Sequence, residues 1–176
     1  DSRNRICHCN TTVIIFARSK EKALKVFPYL EEEEHLEIVL GDISEPICYD
    51  GDIDYVIHGA SPTSSKYFVS HPVETIGAAV DGTRYVLELA KQKQVKGVVY
   101  LSSLEVYGTP AEDAGMITEK DYGYIEPLSV RSSYSEGKRI VECLCASYAK
   151  EYDVPVKVAR LSQTFGAGVA YDDGRV

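Results

Sequence analysis

The stretch RSSYSEGKRIVECLCASYAKEY places Tyr134 four residues before Lys138. Side chains four residues apart on a helix share one face, so the phenol and the ammonium can meet. A phenol, with an ordinary pKa near ~10, is a poor base at neutral pH; a neighbouring cation stabilises its phenolate and lowers that value. Such a pair can take a proton from an alcohol. With 13 tyrosines in the chain, the spacing alone carries little weight, and an ordinary tyrosine and lysine on one helix face is the competing reading. Upstream, the segment SSLEVYG sets Ser103 at the end of an apolar run. Its hydroxyl could hold the same alcohol against Tyr134, or could merely end a strand and open a turn. A strand-end serine, then a helix with Tyr-x-x-x-Lys, then another strand is harder to reach by accident, so the three residues read as one site.

Positioning them requires a particular set of elements. TTVIIFA, HLEIVLGD, IDYVIHGAS, VKGVVYLSS and VPVKVARLS are short β-branched or apolar runs that end in small or polar residues, the pattern of buried strands. SKEKALKVFPYL and two long amphipathic segments, about Val73 to Gln94 and Ser132 to Tyr152, read as helices. Nearly continuous apolar strands alternating with helices predict a parallel sheet covered on both faces, a Rossmann-like doubly wound α/β fold. Ligands then sit beyond the carboxyl ends of the strands, here FARS, LGDIS, HGASP, LSSLE and LSQTF. Such a fold normally opens with a strand, a Gly-rich turn and a helix that receives pyrophosphate. Nothing before Thr11 matches it, so the expectation is a domain without that first strand, turn and helix. At 176 residues, with no internal repeat or linker, the chain reads as a single, partial dinucleotide-binding domain over residues 1–176.

Composition narrows the partners. Hydrophobic residues at 44% and charged residues at 26% suit a soluble globular protein. A net charge of −8 without a basic run speaks against nucleic acid and anionic membranes. Glu31 to Glu34 read as a solvated helix end or loop. No apolar run approaches the ~20 residues of a membrane span and the start has no signal-peptide pattern, so a cytoplasmic location is expected. The cysteines Cys7, Cys9, Cys48, Cys143 and Cys145 are odd in number and read as reduced thiols. Cys7-His8-Cys9 has no second ligand pair at zinc spacing, so no metal is expected.

DIS, VIHGAS, VDGTRYVLELA, VVYLSSLEVYG, YSEGK and RLSQTFGAG occur in that order. On these segments the chain, from about Thr11 to Gly168, resembles the extended short-chain dehydrogenase/reductase family, and within it the NAD-dependent nucleotide-sugar epimerases, dehydratases and decarboxylases. The resemblance implies that Tyr134 is the catalytic base, that Lys138 lowers its pKa and hydrogen-bonds the nicotinamide ribose, and that Ser103 orients a sugar hydroxyl. It also implies that Asp42 and Ile43 flank the adenine, that Gly59, Ala60 and Ser61 line the dinucleotide, and that Gln163 lies near the substrate where the family commonly has asparagine. Ala79 stands where an asparagine is usual. Arg18 ends the strand at which an acidic residue would bind the ribose of NAD; an arginine suits the 2′-phosphate of NADP, or is simply solvated.

The shared first step in such a family is oxidation at the sugar C4 hydroxyl, giving a 4-keto sugar. Related 4,6-dehydratases carry adjacent Asp-Glu where this chain has Leu104 and Glu105. Glu105 alone fits a decarboxylase better, because a 4-keto uronic acid is a β-keto acid that loses carbon dioxide without a dedicated acid. An epimerase stays open, and Glu105 as a polar residue leaving a strand is the bland alternative. Two readings from other classes compete: a non-catalytic binding module of the same fold, and an NADP-dependent carbonyl reductase, which Arg18 would favour. The resemblance further implies a homodimer built on two long helices, and a substrate-binding C-terminal region largely outside these residues.

Overall fold

The computed structural model describes residue 4 and residues 10–28, 32–62, 64–113 and 115–163. The chain divides into two compact units, residues 1–47 and 48–176, where the sequence reads as one domain.

In the first unit, the β-branched run VIIFA forms β1 (Val13–Ala17). Ser19 caps α1 (Lys20–Val26), its Oγ accepting the Lys22 N–H at 3.3 Å. LEIVL then forms β2 (Leu36–Leu40), parallel to β1 from Val13 opposite Leu36 to Ala17 opposite Leu40. No residue of α1 is buried.

The second unit holds β3 (Tyr55–His58), α2 (Ser65–Ser70), α3 (Pro72–Gln92), β4 (Gly97–Ser103), a 3₁₀ turn (Leu104–Tyr107), α4 (Ser132–Tyr152) and β5 (Val156–Leu161). β3, β4 and β5 are parallel and adjacent in that order. Parallel neighbours need a crossover, and α3 and α4 provide the two. They meet through small residues: a Cβ added at Gly137 would lie 3.4 Å from that of Ala79. Leu87 and Ala90 of α3, Val98 and Tyr100 of β4, and Val141 and Cys145 of α4 form the centre of the core. Asp153, at φ 56° in the left-handed region, ends α4.

The strands and long helices stand where the apolar runs predict. The parallel strands and helical crossovers are those of the expected Rossmann-like fold; among the described residues the strands are hydrogen-bonded in two groups, β1–β2 and β3–β4–β5. In the second, Tyr55 and Ile57 are 69% and 75% exposed on the face opposite the core. The strand order explains this. When successive parallel strands are neighbours and both crossovers are right-handed, both helices fall on the same face.

The short α2 and the 3₁₀ turn have no sequence counterpart in the periodic pattern. After the 3₁₀ turn, Thr109 pairs antiparallel with Tyr124. The pairing requires two glycines: Gly108 has φ 65° and no room for a Cβ, which would meet the Tyr124 carbonyl at 2.7 Å, and a Cβ at Gly123 would meet the Thr109 carbonyl at 2.1 Å.

Candidate functional site

β4 delivers Ser103 to the carboxyl end of the central strand of its sheet, where it also caps the 3₁₀ turn by accepting the Glu105 N–H at 3.3 Å. α4 begins after a loop and carries Tyr134 in its first turn and Lys138 one turn later. Ser103, at the end of β4, is a hydrogen-bonding neighbour that acts to lower the pKa of the Tyr134 phenol. The strand-end serine and the helical tyrosine therefore lie side by side.

Lys138 is 3% exposed. Its Nζ donates to the Leu101 carbonyl at 2.9 Å and passes over the rings of Tyr100 and Tyr134, at 4.8 and 5.6 Å from their centroids. Burial pushes its pKa down to about 8, with Glu142 acting in the opposite direction. The phenol of Tyr134 is held above its ordinary value, first by burial; Ser103 and Arg131 act to lower it and Glu105 to raise it. Lys138 thus faces the Tyr134 ring, and the phenol is raised by burial rather than lowered by the lysine as the resemblance implies.

Glu105 is held on both oxygens. Arg131 Nη2 donates to Oε1 at 2.5 Å and Ser135 Oγ to Oε2 at 2.7 Å. A cleft of about 390 Å³ opens beside it, lined in part by Leu104, Thr109, Tyr124 and Ser135. The sequence reading missed Arg131 and Ser135, although they flank Tyr134; Arg131 at three residues before it was the available signal.

Further polar groups sit underneath. His58, at the end of β3, is 4% exposed and pairs through Nε2 with the Thr83 hydroxyl at 2.9 Å. Burial, reinforced by the Lys138 charge, lowers its pKa to about 4. Glu142, one turn beyond Lys138, accepts from Ser102 Oγ at 2.6 Å and from Arg160 Nη2 at 2.7 Å. Arg160 also donates to the Glu119 carbonyl at 3.0 Å and to the Tyr122 hydroxyl at 2.9 Å.

The other expected residues fall at strand ends. Gly59 and Ala60 are exposed and Ser61 half-buried just past β3. Gln163 lies exposed past β5. In the first unit, Arg18 follows β1, and Asp42 and half-buried Ile43 follow β2. Asp42 Oδ1 accepts from the Ser44 N–H at 2.9 Å and its hydroxyl at 2.8 Å, which lowers its pKa, with Arg18 adding to the effect. Cys7, His8 and Cys9 and residues 164–176 lie outside the described residues; Cys48, Cys143 and Cys145 are free thiols. Among the described residues no helix is long and apolar enough to cross a membrane.

Parallel strands joined by helical crossovers define a Rossmann-like protein. The chain belongs to the NAD dependent epimerase/dehydratase family, whose model matches residues 11–176. It is similar to UDP-glucuronic acid decarboxylase 1 of Xenopus tropicalis, 35% identical over 143 residues, which cover 81% of this chain and 33% of that protein. To UDP-glucuronic acid decarboxylase 6 of Arabidopsis thaliana it is 36% identical over 140 residues, 80% of this chain and 39% of that protein. The chain thus spans well under half the length of these relatives. The fold matches a dTDP-glucose 4,6-dehydratase from Streptomyces venezuelae with NAD bound, at a TM-score of 0.70 and 21% identity over 90% of this chain and 50% of that one. It also matches a UDP-glucuronic acid 4-epimerase from Bacillus cereus in complex with NAD, at 0.68 and 23% over 88% and 49%.

Proposed function

We propose that this chain carries the catalytic centre of a nucleotide-sugar-modifying enzyme working through a 4-keto sugar, and that its reaction is decarboxylation of a nucleoside-diphosphate uronic acid. The observation that carries the reading is Tyr134 and Lys138 on one face of α4, the Lys138 Nζ 5.6 Å from the Tyr134 ring centroid, with Ser103 beside the phenol at the carboxyl end of β4.

Tyr134 takes the proton of the C4 hydroxyl while Ser103 holds that oxygen in line. NAD, when bound, would supply the hydride chemistry at C4. The residues present suit that cofactor: an ammonium has three donors, and Lys138 uses one on the Leu101 carbonyl, leaving two for ribose hydroxyls. Gly59, Ala60 and Ser61 offer backbone at the neighbouring strand end. A ketone at C4 makes the C5 carboxylate a β-keto acid, whose C–C bond breaks with the electron pair passing into the enolate and carbon dioxide leaving. C5 then takes up a proton, and Tyr134 gives its proton back to O4 as the ketone is reduced. The sum is uronate plus one proton to pentose plus carbon dioxide, with no net oxidation.

Glu105 supports this course over dehydration. Leu104 supplies no acid for a C6 hydroxyl, and Glu105, hydrogen-bonded to Arg131 and Ser135, is a fixed acceptor for a substrate hydroxyl. The two decarboxylases described above agree with the same reading.

The test is the full-length protein with UDP-glucuronic acid, UDP-glucose and dTDP-glucose in turn, with the nucleotide-sugar products identified by mass spectrometry. A UDP-pentose from the first substrate, with no dehydrated hexose from the others, is the expected result. Tyr134→Phe should lower turnover by about 10²-fold or more while leaving the melting temperature within a few degrees. A UDP-hexuronate epimer, or a Tyr134→Phe enzyme within a few-fold of the parent, would refute the assignment.

A further inference from the structure

We infer that Phe68 is a positioning residue for Tyr134, holding the ring of the base so that its hydroxyl stays on Ser103. Its kinetic arm rests on the function proposed above; its structural arm does not.

A tyrosine in the first turn of a helix has more than one staggered orientation available. Proton abstraction tolerates little of that freedom, since displacements near ~1 Å at a reacting group cost about 10²-fold. The contacts of Tyr134 within its own helix do not remove it. Lys138, one turn on, crosses the ring face with its Nζ 5.6 Å from the centroid.

Phe68 supplies what is missing. It is 2% exposed, and its ring lies 4.2 Å from that of Tyr134, centroid to centroid, with 10° between the planes. A parallel ring at that distance blocks rotation of the phenol out of its plane and leaves the hydroxyl edge free.

Phe68 is itself anchored. Its N–H donates to the Ser64 carbonyl at 3.2 Å, and its carbonyl accepts from the Ser133 hydroxyl at 3.4 Å, the residue just before Tyr134. The Arg131 guanidinium lies 5.3 Å from the Phe68 ring centroid while its Nη2 grips Glu105. α2 therefore touches the start of α4 by backbone, by ring and by cation, all within the turn that bears the base. α2 follows Gly59, Ala60 and Ser61 in the chain, so the strand end expected to line the dinucleotide also delivers the wall behind the base.

The experiment compares Phe68→Leu and Phe68→Tyr in the full-length protein labelled with ring-¹³C tyrosine, the Tyr134 signal being assigned by its loss in Tyr134→Phe. Phe68→Leu should lower kcat by about ten-fold or more with KM for the nucleotide sugar within about two-fold, because alignment rather than binding is lost. Its Tyr134 ring signals should lose the ring-current shift and its ring should flip faster. Phe68→Tyr, which keeps the stacked ring, should restore both. If Phe68→Leu does not fold, Phe68→Met, with a longer apolar side chain, is read in its place. An unchanged Tyr134 ring signal in the aliphatic variant, or a Phe68→Tyr protein as impaired as it, overturns the inference. Absence of nucleotide-sugar turnover in the parent would refute the proposed function, while the ring signal still decides the role of Phe68.

Discussion

His58 is buried beneath the candidate site, with Lys138 and Tyr100 around it and Thr83 on its Nε2. With a folded pKa near 4 against an ordinary 6.5, it binds a proton in the unfolded chain over that interval and not in the folded one. Stability therefore rises with pH wherever the unfolded state holds the extra proton. It is complete above about pH 6.5, falls as pH drops, and is lost by about pH 4, by an amount on the order of 3 kcal/mol. Urea midpoints measured at pH 7, 5.5 and 4 on the parent and on His58→Gln should diverge, the variant keeping the flatter profile. Parallel profiles would remove His58 as the source. Arg18 allows a second prediction at this scale. Exposed at the end of β1 and close enough to Asp42 to shift it, it can offer a charge-assisted hydrogen bond to a 2′-phosphate. Calorimetry on full-length protein should show Arg18→Ala weakening NADP binding more than NAD binding; affinities for both dinucleotides unaffected by the change would count against it.

Between elements, the Glu142 carboxylate joins β4, α4 and β5 through Ser102 and Arg160, and Arg160 continues to the Glu119 carbonyl and the Tyr122 hydroxyl of the loop before α4. Both charged side chains are largely buried, 13% and 15% exposed. Removing one partner of a buried pair strands the other, so Arg160→Ala should destabilise by about 3 kcal/mol. Arg160→Met with Glu142→Leu should recover part of that loss by clearing both charges together. A single-variant loss below about 1 kcal/mol in chemical denaturation would show the pair to be solvated after all. This network also marks where sequence reading stops. The five strands and two long helices are legible because apolar periodicity is a local property, and Tyr134 and Lys138 because they share one helix. Ser103 is legible as a strand end. The partners of Glu105, the stacking of Phe68 on Tyr134 and the Arg160 clasp are contacts across many residues of chain, and α2 is too short to show a helical period. Nothing local announces them.

At the scale of the whole chain, the runs of VIIFA, YVIH and GVVYLSS look alike. The structure separates them by what covers them. Among the described residues, every hydrophobic one with less than a tenth of its surface exposed, from Phe68 to Val154, belongs to the unit of residues 48–176. In residues 1–47 the described residues of β1, α1 and β2 are all half-buried or exposed. Buried apolar area contributes about 25 cal/mol per Å², so the two units differ in the main favourable term of folding. Local opening follows buried contacts, and segments with few of them open at the low end of the stability range. Amide hydrogen exchange on this chain should therefore show β1 and β2 exchanging at least about 100-fold faster than the core amides of Leu87, Val98 and Val141, a difference of about 2.7 kcal/mol in opening free energy. Equal protection of Ile15 and Val98 would mean that residues 1–47 draw stability from contacts other than their own, and that burial within each unit does not set its opening.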